Sequence, residues 1–262
     1  MKIDKNLIIR SLSGILLVAV MLTAVFYSEL SCFIILMLIG AAATHELLFN
    51  INKNTTTVTL PLFASTLAAL IAVTIYLNID NRIITIILVS IFMLRMIVEM
   101  YRRNSDPLRS ISYEIFAICY TIIPMLLLFQ MSSALIVALF IMVWSNDVGA
   151  YLVGVSCGKH KLWERLSPKK SWEGFFGGVI ATIIAAVIIG INRNESPYIW
   201  AATAILVSAA AVYGDLFESM FKRSLKIKDS GNIIPGHGGV LDRFDAIFFA
   251  APVFYIIYTY IF

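Results

Sequence analysis

The sequence predicts an all-α integral membrane protein of about nine transmembrane helices, with its N-terminus in the cytoplasm. Three observations carry that reading. The chain of 262 residues is 60% hydrophobic and 14% charged, with a mean hydropathy of +0.89, whereas soluble domains run at about 45–50% apolar and about 25% charged. Its apolar residues gather into runs near the length a bilayer core demands, about 20 residues per helix. Its basic residues then fall almost wholly between alternate runs. Disorder, fibrous architectures and a soluble enzyme are excluded on the first of these alone.

Taken in order, the runs are Leu12–Tyr27, Cys32–Phe49, Val58–Leu77, Ile83–Met100, Ile111–Phe129, Ala134–Val153, Phe175–Ile191, Ile199–Phe217 and Phe244–Phe262. The first and seventh are short. The first follows Lys2, Lys5 and Arg10 as a signal peptide would, but no Ala-x-Ala site follows it, so a retained span is expected. Alternating strand periodicity is absent, which disfavours a β-barrel. Cys32, Cys119 and Cys157 form no CxxC pair and read as small apolar fillers.

With the N-terminus inside, the cytoplasmic segments carry Lys2, Lys5, Arg10, Lys53, Arg102, Arg103, Arg109, Lys159, Lys161, Arg165, Lys169, Lys170, Lys222, Arg223, Lys226, Lys228 and Arg243. The opposite side carries only Arg82 and Arg193, and Arg95 lies within a span. This is a strong positive-inside asymmetry, and nine spans then place the C-terminus outside. Most connections are short. Two are longer, basic and glycine-containing, Gly154–Gly174 and Ser219–Arg243, and both fall on the cytoplasmic face. The expected organisation is one polytopic domain over residues 1–262. Residues 1–130 form its N-terminal helices, and 131–262 form catalytic helices with cytoplasmic loops 154–174 and 219–243.

Acids inside apolar helices are costly and mark functional candidates. Asp147 lies near the end of the sixth span and Asp215 at the end of the eighth. From Asp215, the positions Ser219, Lys222/Arg223 and Lys226 recur at helical spacing, so a continuing helix places them on one face. That stripe suits either acidic headgroups at an interface or a metal-bound polyphosphate. Downstream, Gly236, Gly238 and Gly239 flank His237, freeing backbone N–H groups to approach an anion. Asp242 and Asp245 open the ninth span three residues apart. Each alone reads as a helix cap; with Asp215 and Asp147 they suggest a hard-cation site, magnesium preferring oxygen ligands and substrate phosphates. Lys169 and Lys170 could neutralise a phosphate as point charges, although the loop around them fails the Walker A spacing. No nucleophilic-serine motif is present. Arg95 and Glu99 are expected to pair with each other, His45 and Glu46 to snorkel from a cytoplasmic helix end, and His160 to be solvated.

The segment Ser219–Asp245, SMFKRSLKIKDSGNIIPGHGGVLDRFD, resembles the signature of the CDP-diacylglycerol synthase (phosphatidate cytidylyltransferase) family of bacterial type. NDVGAYLVG with the downstream SPKKSWEG, and GDLFES, resemble the same family. The likeness covers about Trp144 to Asp245, and the N-terminal half agrees only in hydropathy and its basic start.

The resemblance implies a magnesium-dependent transfer of the cytidylyl group of CTP to phosphatidate, giving CDP-diacylglycerol and pyrophosphate. It assigns metal binding to Asp215 and Asp242, and makes Asp147 and Asp245 further acids of the catalytic pocket with Lys170. Phosphate contacts fall to Lys170, Lys222 and Arg223; Lys169, Lys226, Lys228, Arg243, Ser219, His237, Gly238 and Gly239 complete the substrate-binding set. A second, monovalent cation at the site is left open. The implied partners are CTP, phosphatidate, membrane lipids and a second copy of the chain in a homodimer, with the N-terminal helices as dimer and lipid contacts; no nucleic acid is expected. The implied location is the inner (cytoplasmic) membrane, multi-pass, with the active site on the cytoplasmic face. The alternative from the residues alone is a transporter of anionic metabolites with the basic loops as its vestibule. Acids clustered at one membrane face favour chemistry over transport, since transporter sites sit at the midplane.

Overall fold

A computed structural model describes residues 5–77, 79–102, 104–231, 233 and 238–262, with backbone only at 5–11, 75 and 81. Among the described residues the helices are α1 (Lys5–Tyr27), α2 (Glu29–Asn54), α3 (Pro61–Tyr76), α4 (Asn81–Tyr101), α5 (Pro107–Phe129), α6 (Ser133–Cys157), α7 (Trp172–Asn192), α8 (Pro197–Ser224) and α9 (Leu241–Ile261). The strands β1 (Lys161–Trp163) and β2 (Ser167–Ser171) form one antiparallel hairpin between α6 and α7. Each of the nine apolar runs falls on one helix. Seven helices are long and apolar enough to cross a membrane, and the protein is a multi-pass membrane protein; the described parts of α1 and α3 are shorter. Helical structure lets every backbone group in lipid find a partner within its own segment.

The chain divides into two compact units. One comprises Met1–Leu126 with Ser230–Leu241, the other Leu127–Asp229 with Asp242–Phe262. In the first unit, α2 opens on a capping box in which Ser28 and Ser31 exchange side-chain and backbone hydrogen bonds. Thr44 on α2 and Thr121 on α5 share a buried hydrogen bond of 2.6 Å. Arg95 does pair with Glu99, at 2.6 Å, but it is also held at 2.6 Å by Glu114 of α5. Glu114 accepts the backbone N–H of Leu60 as well. Buried charges persist only when paired and hydrogen-bonded, and this group ties α4, α5 and the approach to α3 together. Glu46 departs from expectation: it does not snorkel but is 5% exposed, drawn inward by backbone donors described below.

In the second unit, α6 and α7 approach through glycines. A Cβ on Gly149 would lie 2.7 Å from the Gly177 carbonyl oxygen, and one on Gly178 would lie 2.6 Å from Asn146 Oδ1. The segment after Gly154 is less loop-like than expected. Helix α6 continues to Cys157, and the hairpin then delivers the chain to Ser171, the N-cap of α7, whose Oγ accepts the Gly174 N–H at 3.1 Å. Glu173 in the first turn of α7 accepts the N–H groups of Lys159 and His160, and it pairs with His160 Nδ1 at 2.6 Å. At the far end of α7, Glu195 accepts from Arg193 and from Nε1 of the fully buried Trp200.

The eighth helix extends past its apolar run but stops at Ser224, before the predicted stripe is complete. Lys226 takes φ 58°, and the N–H groups of Lys226 and Ile227 turn back to the carbonyls of Arg223 and Lys222. This is the usual way for a helix end to satisfy its last acceptors. Lys226 therefore leaves the helical face on which Asp215, Ser219 and Lys222 lie.

Candidate functional site

The candidate functional residues of the second unit come from four elements. Helix α6 supplies Asp147, strand β2 Lys169 and Lys170, α8 Asp215 to Arg223, and the first turns of α9 Asp242 and Asp245. The spacing within α8 sets the pattern. Asp215, Glu218, Ser219 and Lys222 lie three or four residues apart, so they stack along one side of the helix.

Two linked groups result. In one, ligand oxygens of Asp215, Glu218 and Asp245 lie within 4.8 Å of one another. Lys170 Nζ is 2.5 Å from Asp215 Oδ2, and Ser219 Oγ donates to Asp215 at 3.4 Å. In the other, Lys222 Nζ bridges Glu218 Oε2 at 2.5 Å and Asp242 Oδ1 at 2.7 Å. Lys222 thus joins the groups through Glu218. Asp242 meets the site through this lysine, while the three clustered carboxylates are Asp215, Glu218 and Asp245.

Beside the first group lies a cavity of about 260 Å³ lined by Asn146, Asp147, Lys169, Lys170, Ser171 and Asp215 together with apolar residues that include Leu162 and Phe175. Asn146 is buried, its Oδ1 accepting from Ser208. The cavity therefore takes its polar groups from α6, α8 and β2 and is apolar toward β1 and α7.

The donor set suits a hard divalent cation. All three clustered groups are carboxylates, and Glu218 Oε1 is buried with no hydrogen-bond partner among the described residues. Buried oxygens without donors are rare and costly, and oxygen-only coordination is what magnesium prefers.

Asp147, Asp215 and Lys170 converge as the sequence suggests. Asp245 joins Asp215, and Asp242 is held by Lys222. Lys169, Arg223, Lys226, Lys228 and Arg243 are exposed; Arg223 Nη1 reaches the Ile227 carbonyl at 3.4 Å. Gly239 belongs to the first unit beside Ser230 and Glu46, and Gly238 has φ 86°, a left-handed conformation open to glycine. His237 lies outside the described residues. Glu218 is not among the residues the sequence expectation names; the signal for it is an acid in an apolar helix, four residues before Lys222.

The model of the cytidylyltransferase family matches residues 8–261. Among curated relatives, the phosphatidate cytidylyltransferase of Bacillus subtilis (strain 168) is 48% identical over 119 residues, 45% of this chain and 44% of that protein. That of Staphylococcus aureus (strain COL) is 45% identical over 120 residues, 45% of this chain and 46% of that protein. The chain thus spans under half the length of the curated relatives it matches.

Proposed function

The chain belongs to the cytidylyltransferase family, and on that premise we propose that it transfers the cytidylyl group of CTP to phosphatidate, forming CDP-diacylglycerol and pyrophosphate. The observation that carries this reading is the meeting of Lys170 with Asp215 beside the clustered carboxylates Glu218 and Asp245. The relatives' names supply the substrates. The transporter alternative finds no support among them.

The chemistry asks little of the protein in the way of covalent catalysis. Phosphatidate brings its own nucleophile, an ionised phosphate oxygen. That oxygen forms a bond to the α-phosphorus of CTP as the bond from this phosphorus to the β-phosphate oxygen breaks, and the electron pair leaves on pyrophosphate. What must be supplied is positioning and compensation of negative charge. Asp215, Glu218 and Asp245 would hold Mg2+, which when bound neutralises phosphate oxygens and the charge developing on the leaving group. Lys170 offers a point charge to the same phosphates from β2, where the start of α7 fixes its backbone. Lys222 holds Glu218 and Asp242 in place and offsets part of the negative charge at this helix end. The polar side of the cavity receives the nucleotide end, and the apolar surface of the surrounding helices receives diacylglycerol.

In this reading the protein lies in the inner membrane with its site on the cytoplasmic face, the side richest in Lys and Arg, and it works as a homodimer. The test is transfer from α-labelled CTP to phosphatidate by purified protein with and without Mg2+. Wild type yields labelled CDP-diacylglycerol only with the metal, and Asp215→Asn and Asp245→Asn each abolish it while remaining folded. Full activity of both variants overturns the metal assignment. Absence of any CDP-diacylglycerol from wild type overturns the function.

A further inference from the structure

Glu46 stands on α2, in the half of the chain to which the family signature does not extend. It is 5% exposed and makes no ion pair among the described residues. Its carboxylate instead gathers the end of the signature loop. Oε1 accepts the Val240 N–H at 3.0 Å, while Oε2 accepts the Leu241 N–H at 2.9 Å and the Ser230 hydroxyl at 3.3 Å. One turn along α2, Asn50 Nδ2 donates to the Ser230 carbonyl at 2.5 Å and to the Glu46 carbonyl at 2.9 Å. Both ends of the segment Ser230–Leu241 are therefore fastened to two residues of one helix.

Two glycines are required by this arrangement. A Cβ on Gly231 would sit 2.6 Å from Glu46 Oε1, and one on Gly239 would sit 2.5 Å from Oε2 and closer still to Ser230 Oγ. Only residues without a side chain let the carboxylate come this near. The chemistry of the contact is that of an anion cradled by backbone N–H groups, with the protein's own carboxylate as the anion. Charge-assisted hydrogen bonds of this kind are stronger than neutral ones. The chain then runs without a break from Leu241 into Asp242, the partner of Lys222.

We propose that Glu46 is a positioning residue for the transfer reaction: its carboxylate fastens the two ends of the segment 230–241, at Ser230 and at Val240 and Leu241, and so sets the point at which the chain enters Asp242. This rests on the function proposed above, which it deepens. It assigns a role in the reaction to the N-terminal helices, and it accounts for Gly231 and Gly239 as room for a carboxylate.

The experiment compares full-length wild type with Glu46→Gln and Glu46→Asp in detergent. One readout, independent of activity, is hydrogen exchange of peptides covering 230–241; the others are kcat, KM for CTP and thermal stability. Glutamine keeps the volume but turns an NH2 toward one of two N–H donors. Exchange in 230–241 is expected to rise about tenfold or more, the scale of one lost charge-assisted hydrogen bond. We expect kcat to fall by a similar factor with a smaller change in KM and little loss of thermal stability. Glu46→Asp, which keeps the charge on a shorter stem, recovers part of both. Should Glu46→Gln fail to fold, Gly231→Ala supplies the second variant, pushing on the carboxylate from the loop side with the same expected signature.

Unchanged exchange in both Glu46→Gln and Gly231→Ala overturns the anchor. Raised exchange with wild-type kcat overturns its part in the reaction. If wild type itself makes no CDP-diacylglycerol, the reaction assignment fails while the exchange data still decide the anchor, so the two failures are separable.

Discussion

Replacing Lys222 by methionine removes one ammonium group from between two carboxylates. Glu218 is 1% exposed, and the lysine lies 2.5 Å from its Oε2 and 2.7 Å from Asp242 Oδ1. Methionine fills similar volume, so the change isolates the charge. Removing one partner of a buried ion pair costs about 3–5 kcal/mol because the remaining charge is left uncompensated. Here one cation serves two acids, with Asp215 and Asp245 beside Glu218, so the upper part of that range is expected. Adding Glu218→Gln to Lys222→Met removes much of the uncompensated charge. The double variant is then more stable than Lys222→Met alone, with a coupling of about 1.5–3 kcal/mol between the sites. Chemical unfolding in mixed micelles, followed by tryptophan fluorescence across the four variants of the cycle, measures both quantities. A Lys222→Met protein as stable as wild type, or two substitutions that simply add, refutes this account of Lys222.

Three further outcomes follow from the geometry. Glu218→Gln removes one of three clustered oxygen donors, and the Mg2+ concentration for half-maximal activity is expected to rise at least about tenfold; an unchanged metal titration places Glu218 outside the metal set. Gly178→Ala puts a Cβ 2.6 Å from Asn146 Oδ1 and 2.9 Å from the Asn146 carbonyl, so it is expected to cost about 1–3 kcal/mol of stability as an overpacked contact and to lower activity through the neighbouring Asp147. Burial pushes the Glu195 carboxyl up, but hydrogen bonds from Arg193 and Trp200 and the Arg193 charge outweigh it and hold the group below the ordinary glutamate value. Its stabilising contribution is thus complete above that ordinary value, about 4.3, and lost as pH falls through and below it, so the melting temperature of wild type should drop more between pH 6 and pH 3 than that of Glu195→Gln.

Local sequence carried the helices and part of the candidate site. An apolar run sets its own length against the bilayer, so all nine runs became helices. Asp147 and Asp215 were visible because an acid in an apolar helix is costly, and Arg95–Glu99 because four residues make one helical turn. Glu114 completes that pair from another helix, which no spacing within a helix reveals. Glu46 shows the limit most clearly. Read as a residue near a helix end, it suggests a side chain reaching for water. Its true partners, Val240 and Leu241, lie 194 and 195 residues away, and the donors are backbone groups, identical at every non-proline position. The turn at Lys226 was hidden for a different reason: helical spacing persisted in the sequence after the backbone had left the helix.

Ser171 is at once the last residue of β2, paired with Lys161, and the cap of α7, with room for its hydroxyl left by Gly158 and Gly174. Only Ser171 consequently separates Lys170 from a bilayer-length helix, with no slack between them. A single inserted residue there would turn the lysine to the opposite side of the ribbon, and lengthening the connection cannot undo it. The exposed tip around Glu164 and Arg165 bears no such restriction. Drift in chain length is thereby channelled to the outer end of the hairpin, while the inner end keeps time with the membrane helix it begins.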